Sequence, residues 1–374
     1  MATTRALSDR ELNRALLARQ LLLERVALTP TAAIERLAGL QAQWAPAPYI
    51  GLWSRLAKFA IEDLERALAQ RRVVKATLMR GTLHLVSAKD YPAICVATTR
   101  SRPERWAPAS RRLADADRIH RATVTFARTA RTREALAGFL VTQGVAADLS
   151  TPMLWWLIAS HGWLVHVPPS GTWAYRKSGD LIAADAWIRA AREPDLEAAV
   201  VTTVQRHVAA FGPATPDDIS SWSSIRTPAV RAALGSLGPK VRTFTDPRGR
   251  TLYDLKGAPL PDADTPAPVR FLPKWDSTLL AYAPPERVRI LSEAHRKTVI
   301  GRNGDVAQTF LVDGMVAGTW SAAIKPREAT IVVTPFVRLA KADRVALVEE
   351  CERLARFIAP DAKTHGVRVS STAR

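Results

Sequence analysis

Two glutamines, Gln41 and Gln43, are the residues of this sequence whose type and spacing suggest chemistry. They stand between a run with helical hydrophobic spacing at residues 31–40 and a proline-containing segment at residues 44–49. Residues two apart point roughly 200° away from each other on an α-helix but to one side of an extended chain. Gly39 and the following prolines favour a helix end before the pair. We therefore expect both amides to face one target.

The amide group limits the chemistry that this pair can perform. Its carbonyl oxygen accepts hydrogen bonds, but the group neither gives nor takes a proton near neutral pH. The pair therefore indicates a site that holds and orients a water molecule. The alternative interpretation is two ordinary polar residues at a frayed helix end.

A second set of polar residues follows at Arg80, Thr82 and His84. Side chains two apart on a strand point to the same face, so these three are predicted to share one face. If that face borders the glutamine pair, Thr82 and His84 would orient the water or a sugar, and Arg80 would bind a phosphate. The alternative is the polar outer face of a hairpin whose inner face carries Leu83 and Leu85.

The elements that must position these residues recur along the chain. Three times a helical run is followed by a second helix and then by two short strands, a pattern typical of a winged helix. The expected strand pairs are 73–78 with 81–86, 163–167 with 172–175, and 241–244 with 251–255. We predict three tandem winged-helix domains, at residues 1–122, 123–194 and 195–257.

A proline-rich connector at residues 257–268 marks the clearest domain boundary. Beyond it the pattern changes to short strands, and an amphipathic helix is expected over residues 341–358. We therefore predict that residues 268–374 form a C-terminal antiparallel β-barrel closed by this helix. The whole chain is assigned to the α+β class.

Composition narrows the class of partner. The 374 residues include 53 Lys and Arg against 35 Asp and Glu, which gives a formal net charge of +18. Such a surface attracts polyanions, and nucleic acid is the leading partner. A GC-rich genome, which enriches Arg and Ala, is the alternative source of the excess. The sequence shows neither a membrane span nor a signal peptide, so we expect a cytoplasmic protein that associates with the nucleoid.

Metal and cofactor motifs do not occur in the sequence. Its 2 Cys and 7 His lack the spacing of known metal ligands. A Gly-rich phosphate loop is also missing. We therefore expect neither a metal nor a cofactor.

The C-terminal third carries a candidate probe for DNA. Residues 301–305 contain the pair Asn303-Gly304, the strongest hairpin signal in the chain. Arg302 and Asn303 at its tip suit contact with the minor groove, and a solvent-exposed turn is the alternative. Three further residues precede the hairpin and would contact phosphates or, alternatively, begin a solvated strand: His295, Arg296 and Lys297.

Aromatic and basic residues add weaker candidates. Trp44, Tyr49 and Trp53 follow the glutamine pair, where an aromatic ring would stack on a base, but rings this close to a helix end are expected in the core. A basic run at residues 100–112 would contact phosphates. We expect it to be a solvated surface instead.

At these residues the chain resembles the winged-helix DNA-binding-domain family that includes AlkZ-type, azinomycin-resistance DNA glycosylases. The matching stretches are residues 40–43, 48–55, 79–86, 295–297 and 311–320. The resemblance implies three tandem winged helices and a C-terminal β-barrel that together form a concave DNA-binding channel. It also implies excision of bulky N7-alkylated purines, including interstrand crosslinks, with the family's catalytic Gln-aliphatic-Gln motif at Gln41, Ala42 and Gln43.

Neutral amides suit the implied reaction. Alkylation at N7 gives the purine a positive charge, so the base departs without prior protonation, and a held water adds to the sugar cation. A crosslinked base is tethered to both strands and must be reached inside the duplex, the role expected of the hairpin.

We expect a monomeric, monofunctional DNA glycosylase that acts on double-stranded DNA carrying alkylated purines, without a lysine nucleophile. The alternative is a non-catalytic winged-helix DNA-binding or regulatory protein.

Overall fold

The first part of the chain surrounds a strand pair with helices. The computed structural model describes residues 5–101, 115–189 and 191–370. The first helix starts at a capping box, in which Ser8 and Glu11 exchange side chain to backbone hydrogen bonds. The elements here are α1 (Asp9–Arg19), α2 (Pro30–Arg36), β1 (Leu40–Gln41), α3 (Ala47–Arg55), α4 (Ile61–Ala69), β2 (Val73–Thr77), β3 (Leu83–Ser87) and α5 (Tyr91–Arg100). The predicted pairing of residues 73–78 with residues 81–86 is confirmed by β2 and β3, in which Val74 lies opposite Val86.

The second part repeats the order of helices followed by a strand pair. Its elements are α6 (Ala116–Phe126), α7 (Arg133–Thr142), α8 (Ser150–His161), β4 (Leu164–His166), β5 (Leu181–Ala183) and α9 (Ala184–Trp187). The prediction that residues 172–175 pair with the first of these strands was wrong. Tight turns occupy that segment, where the N–H of Tyr175 donates to the carbonyl of Thr172. The chain returns to the strand only where the N–H of Val167 donates to Asp180, at 3.0 Å.

One sheet joins these two parts of the chain. Its five strands run in the order β1-β3-β2-β4-β5, and all neighbours are antiparallel. The two parts meet between β2 and β4, where Lys75 lies opposite His166. Strand β1, which carries Gln41, therefore lies at the edge of an extended, well-supported sheet.

The third part again places helices before a hairpin. Its elements are α10 (Leu196–Phe211), α11 (Pro216–Ser223), α12 (Thr227–Ser236), β6 (Val241–Thr245) and β7 (Thr251–Leu255). Thr215 caps α11 by accepting the N–H of Asp218, and Pro216 occupies the first turn, as predicted. The hairpin of β6 and β7 is also confirmed. The count of three winged helices and the boundaries at residues 122, 194 and 257 stay predictions.

The connector at residues 257–268 contains no regular element and is bound to α1. Three arginines of α1 donate to carbonyl oxygens of the connector: Arg10 to Ala263 (2.9 Å), Arg14 to Thr265 (2.7 Å) and Arg19 to Pro259 (2.9 Å). The connector is therefore fixed against the first part of the chain, despite a composition typical of a linker.

The C-terminal part is an open sheet with one covering helix. Its elements are β8 (Arg270–Leu272), α13 (Glu293–Val299), β9 (Thr309–Val312), β10 (Met315–Lys325), β11 (Glu328–Pro335), α14 (Lys341–Ile358) and β12 (Thr364–Val369). The bounds of α14 and the antiparallel pairing of β9, β10 and β11 are as predicted.

The prediction of a closed antiparallel barrel was wrong for the described residues. The five strands run in the linear order β8-β9-β10-β11-β12, with β8 and β12 at opposite edges. Helix α14 carries the chain back before β12, which therefore runs parallel to β11. The α+β class itself is confirmed.

A buried ion pair fastens the C-terminal part to the first part. The guanidinium of Arg55 lies 2.8 Å from the carboxylate of Asp276, and both side chains are at most 1% exposed. Arg55 also donates to the carbonyl oxygens of Gln20 and Gly51, both at 2.9 Å. The charge is thus paired and hydrogen-bonded, as burial requires.

Candidate active site

The glutamine pair follows a sharp change from helix to strand. Helix α2 ends at Arg36, and Gly39 has a φ of +95°. A Cβ at Gly39 would lie 3.2 Å from the carbonyl oxygen of Leu85 and 3.0 Å from the Val86 side chain. Glycine is therefore required both for the left-handed backbone and for the close approach to β3. The prediction that the helix ends before the amides is confirmed.

Gln41 is held by an arginine. Its side chain lies on β1 directly opposite His84 of β3, and the residue is 6% exposed. The Oε1 of Gln41 accepts a hydrogen bond from Nη2 of Arg80 at 2.8 Å. Because a guanidinium only donates, the oxygen of the amide must face Arg80, and this fixes the orientation of the amide.

Gln43 is exposed and is fixed by the backbone. Its Oε1 accepts the N–H of Leu83 at 3.0 Å. The N–H of the intervening Ala42 donates to the carbonyl of the same Leu83 at 2.7 Å. Strand β3 therefore holds the second amide, two residues beyond the end of β1. Both amides have a defined orientation in which one lone pair of each oxygen is occupied.

Arg80 bridges distant parts of the chain. Its backbone has a left-handed φ of 55°, a conformation that is energetically costly for any residue other than glycine. Besides Gln41, it donates to the carbonyl oxygen of Trp222 at the end of α11, at 3.0 Å. Burial lowers the pKa of Arg80 to about 10, and the nearby charge of Arg287 contributes. Even so, the side chain is charged at neutral pH.

Positive charge accumulates around Arg80. The pKa of Arg287 is lowered by burial and by the charge of Arg296 on α13. Arg296 is paired with Glu293 at 2.7 Å. Within the described ranges no carboxylate forms a salt bridge with Arg80 or Arg287. An anion such as a DNA phosphate is therefore attracted to this side of the glutamine pair.

The prediction that Arg80, Thr82 and His84 alternate along one strand was wrong for the first two. Arg80 belongs to a 3₁₀ turn at Met79–Gly81, and Thr82 closes it by donating to the carbonyl of Met79 at 3.1 Å. Only His84 lies in β3, on the same face as Gln41 because the two residues are paired. Its ring Nδ1–H donates to the carbonyl of Thr82 at 2.9 Å.

The residues at 295–297 are helical, so the alternative of a strand start was wrong. Ser292 precedes α13, and the Glu293–Arg296 pair spans one turn. His295 stacks on Phe336 with ring centroids 4.3 Å apart. Lys297 is exposed. The charge of Arg296 acts on Arg287, and contact of residues 295–297 with phosphate stays a prediction.

The 301–305 hairpin has a fixed base and an exposed tip. Ile300 bridges Val306, so the flanks meet at one pair instead of along two strands. Lys274 forms a salt bridge with Asp305 at 3.0 Å. Arg302 and Asn303 are exposed at the tip. The geometry suits a probe, and its contact with a groove stays a prediction.

The aromatic residues after the glutamine pair have different positions. Tyr49 and Trp53 are buried in the core, as expected. Trp44 is half-buried and lines a cavity with Trp173 and Gln308. No local sequence pattern pointed to Trp173, Gln308 or Arg287, because each comes from a segment distant from the glutamine pair. The basic run is outside the described residues from 102 onwards.

Two negative findings concern the described residues alone. Their helices include none with the length and apolar character needed to cross a bilayer. They also contain no group of three or more His, Cys, Asp or Glu side chains placed to hold a metal ion.

Comparison with known proteins assigns the chain to a family. An interstrand DNA cross-link repair glycosylase from Streptomyces sahachiroi is 26% identical over 371 positions, which cover 90% of this chain and 93% of that protein. The solved structure of the S. sahachiroi DNA glycosylase AlkZ has the same fold, with a TM-score of 0.82 at 21% identity, over 98% of this chain and 100% of that one. The model of the AlkZ-like DNA glycosylase family matches residues 34–357, which include both glutamines and the hairpin. The chain therefore belongs to the AlkZ-like family of DNA glycosylases.

Proposed function

We propose that this protein hydrolyses the N-glycosidic bond of N7-alkylated purines in double-stranded DNA, including purines joined in interstrand crosslinks. Membership of the AlkZ-like family supplies the glycosylase reaction. The S. sahachiroi relative, named for cross-link repair, supports the crosslinked substrate. The observation that carries the assignment of the site is the pair of oriented amides, Gln41 and Gln43, beside a cationic region.

The reaction can proceed without a proton-transferring side chain. The alkylated base leaves with the electron pair of the C1′–N9 bond, which cancels its positive charge, so it departs as a neutral molecule. Water then bonds to C1′ of the sugar cation, and its surplus proton passes to solvent. Two neutral amides are sufficient for this order of events because neither step needs a general acid or a strong base.

The two amides stabilise the water and the sugar cation. A carbonyl oxygen has two acceptor positions, and Arg80 or the N–H of Leu83 occupies one on each glutamine. The second position accepts the water, and the partial negative charge of the oxygen faces the developing cation. The exposed Gln43 contacts the water from the solvent side, and the buried Gln41 contacts it from the protein side.

The DNA is bound along a channel formed by the three proposed winged helices and the C-terminal sheet. The net charge of +18 supports this role. Arg302 and Asn303 enter the minor groove, and Arg296 and Lys297 contact phosphates, which the charge of Arg80 also attracts. Thr82 and His295 line the channel, whereas His84 is buried opposite Gln41 and supports that residue from β3. The protein acts as a monomer.

A base-release assay tests the proposal. Single-turnover excision is measured on a duplex with one N7-methylguanine and on a crosslinked duplex, with the wild type and the variants Gln41→Ala and Gln43→Ala. Each variant is expected to slow release by about 10²–10³-fold, the effect of losing one oriented polar group at a reacting centre. Binding to the duplex should change little.

A matched variant, Gln143→Ala, replaces a glutamine at the end of α7 and should leave release unchanged. Normal release by both site variants would refute the role of the amides. Binding without release by the wild type on either duplex would instead identify a non-catalytic DNA-binding protein.

A further inference from the structure

A cavity of about 290 Å³ is lined in part by Trp44, the residue that follows Gln43 in the chain. Its walls come from segments that are far apart in the sequence, namely Trp44, Trp173 and the strand residues Trp320 and Ala322. An aromatic and apolar lining with a few polar groups is typical of small-ligand sites, whose volumes run from about 300 to 1,000 Å³. This cavity is slightly smaller than the lower limit of that range, so it suits a single ring system.

Two residues that line the cavity are close in the chain to the candidate active site and to the hairpin. Trp44 follows Gln43, and consecutive Cα atoms are only about 3.8 Å apart. Gln308, another lining residue, follows the hairpin closely in the chain, and the N–H of Ala307 donates to Val299 at 2.9 Å. The lining of the cavity thus includes a residue next in the chain to Gln43 and a residue that follows the hairpin.

Two of the three indoles are held in place by contacts behind them. Trp173 packs edge to face on Tyr49 with centroids 5.6 Å apart. The indole N–H of Trp320 donates to the carbonyl of Leu272 at 3.0 Å. Such walls lose little conformational entropy when a ligand binds. The cavity is therefore preorganised for a flat or apolar group.

The chemistry of N7 adducts matches this position. In a purine, N7 is separated from C1′ by C8 and N9 alone, so a substituent on N7 lies next to the reacting sugar. N7 is also on the major-groove edge of the base, and a group attached there projects out of the stack without base flipping. Indole faces attract aromatic rings and cations.

We propose that this cavity receives the aromatic or apolar group that a bulky lesion carries on N7, while the sugar lies at the glutamine pair. The inference rests on the proposed glycosylase function and deepens it, because it makes Trp44 and Trp173 determinants of substrate choice. A methyl group is too small to reach the indoles, so contact with them is reserved for larger adducts.

The test compares two duplexes that differ only in the adduct, N7-methylguanine or N7-benzylguanine. Single-turnover release is measured with Trp44→Ala, and spontaneous depurination is subtracted. Stacking of a ring on an aromatic side chain predicts that Trp44→Ala slows release of the benzyl adduct by about tenfold. Release of the methyl adduct should stay within about twofold of the wild type. Trp44→Phe should restore most of the difference.

Two further variants control for folding. Ala322→Trp fills the cavity from an exposed strand position and should also slow the benzyl substrate selectively. Trp187→Ala removes an indole that packs under Arg71 elsewhere and should affect neither substrate.

Equal effects of Trp44→Ala on both adducts, or none on either, would overturn the cavity assignment alone. Release of only the methyl adduct by the wild type would do the same. A wild type that releases neither adduct would refute the proposed function itself.

Discussion

Replacement of Arg80 by lysine would reveal whether this side chain acts on catalysis through Gln41. The guanidinium donates to Oε1 of Gln41 at 2.8 Å and to the carbonyl of Trp222 at 3.0 Å. A single ammonium cannot make both bonds in the same geometry. Lysine keeps the positive charge, and it is strained to a similar degree at a φ of 55°. The substitution therefore changes mainly the orientation of the Gln41 amide.

The expected loss follows from the strength of one hydrogen bond. A bond with a charged donor contributes about 1.5–3 kcal/mol. If the free energy of this hydrogen bond no longer stabilises the transition state, base release slows by about 10- to 150-fold. The affinity for the damaged duplex should stay within about threefold, because the bonds that are lost are internal to the protein. A fall in kcat without a rise in KM is the signature of such a positioning residue.

A double-mutant cycle gives the decisive measurement. Release of N7-methylguanine is timed for Arg80→Lys, Gln41→Ala and the double variant. If Arg80 acts through Gln41, the double variant is no slower than Gln41→Ala alone. Arg287→Lys is the matched control, because Arg287 donates to the carbonyl of Tyr282 and not to a glutamine. Because lysine keeps the positive charge here as well and no glutamine loses a donor, both release and duplex affinity should stay within about threefold of the wild type. Additive losses in the cycle, or an Arg80→Lys rate within twofold of the wild type, would refute the reasoning.

Three further outcomes test the DNA contact and the stability of the fold. Arg302→Ala should weaken duplex binding and lower the slope of log affinity against log salt by about 1, measured by fluorescence anisotropy beside Lys325→Ala; equal slopes would contradict a phosphate contact at the hairpin. Burial lowers the pKa of His207 to about 4. Between about pH 6.5 and pH 4 this imidazole is therefore protonated in the unfolded chain but neutral in the folded protein. As the pH falls through this window, the group lowers the free energy of unfolding by up to about 1.4 kcal/mol per pH unit. Urea unfolding at pH 7 and pH 5 should therefore show a smaller acid loss for His207→Gln, and an unchanged loss would count against this source. Arg55→Ala leaves Asp276 buried without its partner and should cost about 3–5 kcal/mol of unfolding free energy by urea titration; a cost below about 1 kcal/mol would show that the pair is solvated.

The sequence determined the features that depend on neighbouring residues. The bounds of the helix at residues 341–358 followed from its hydrophobic period, and the start of the helix at Pro216 followed from a capping residue and a proline. Gly39 indicated the end of the helix before Gln41, which the structure bears out. Capping, turn formation and side-chain periodicity act over a few positions, so they can be inferred from a short stretch of sequence.

Only the tertiary structure decided what surrounds the glutamine pair. Alternation predicted a strand at Arg80, but the left-handed backbone there turns its guanidinium onto Gln41 and Trp222. Trp173 and Gln308 reach the cavity lined by Trp44 from distant segments. The C-terminal sheet is open, with β8 and β12 at opposite edges, and its last strand is parallel to β11 because α14 returns the chain before it. These contacts form only when separate segments of the chain pack against one another. A pattern within one segment therefore cannot predict which other segment it will contact.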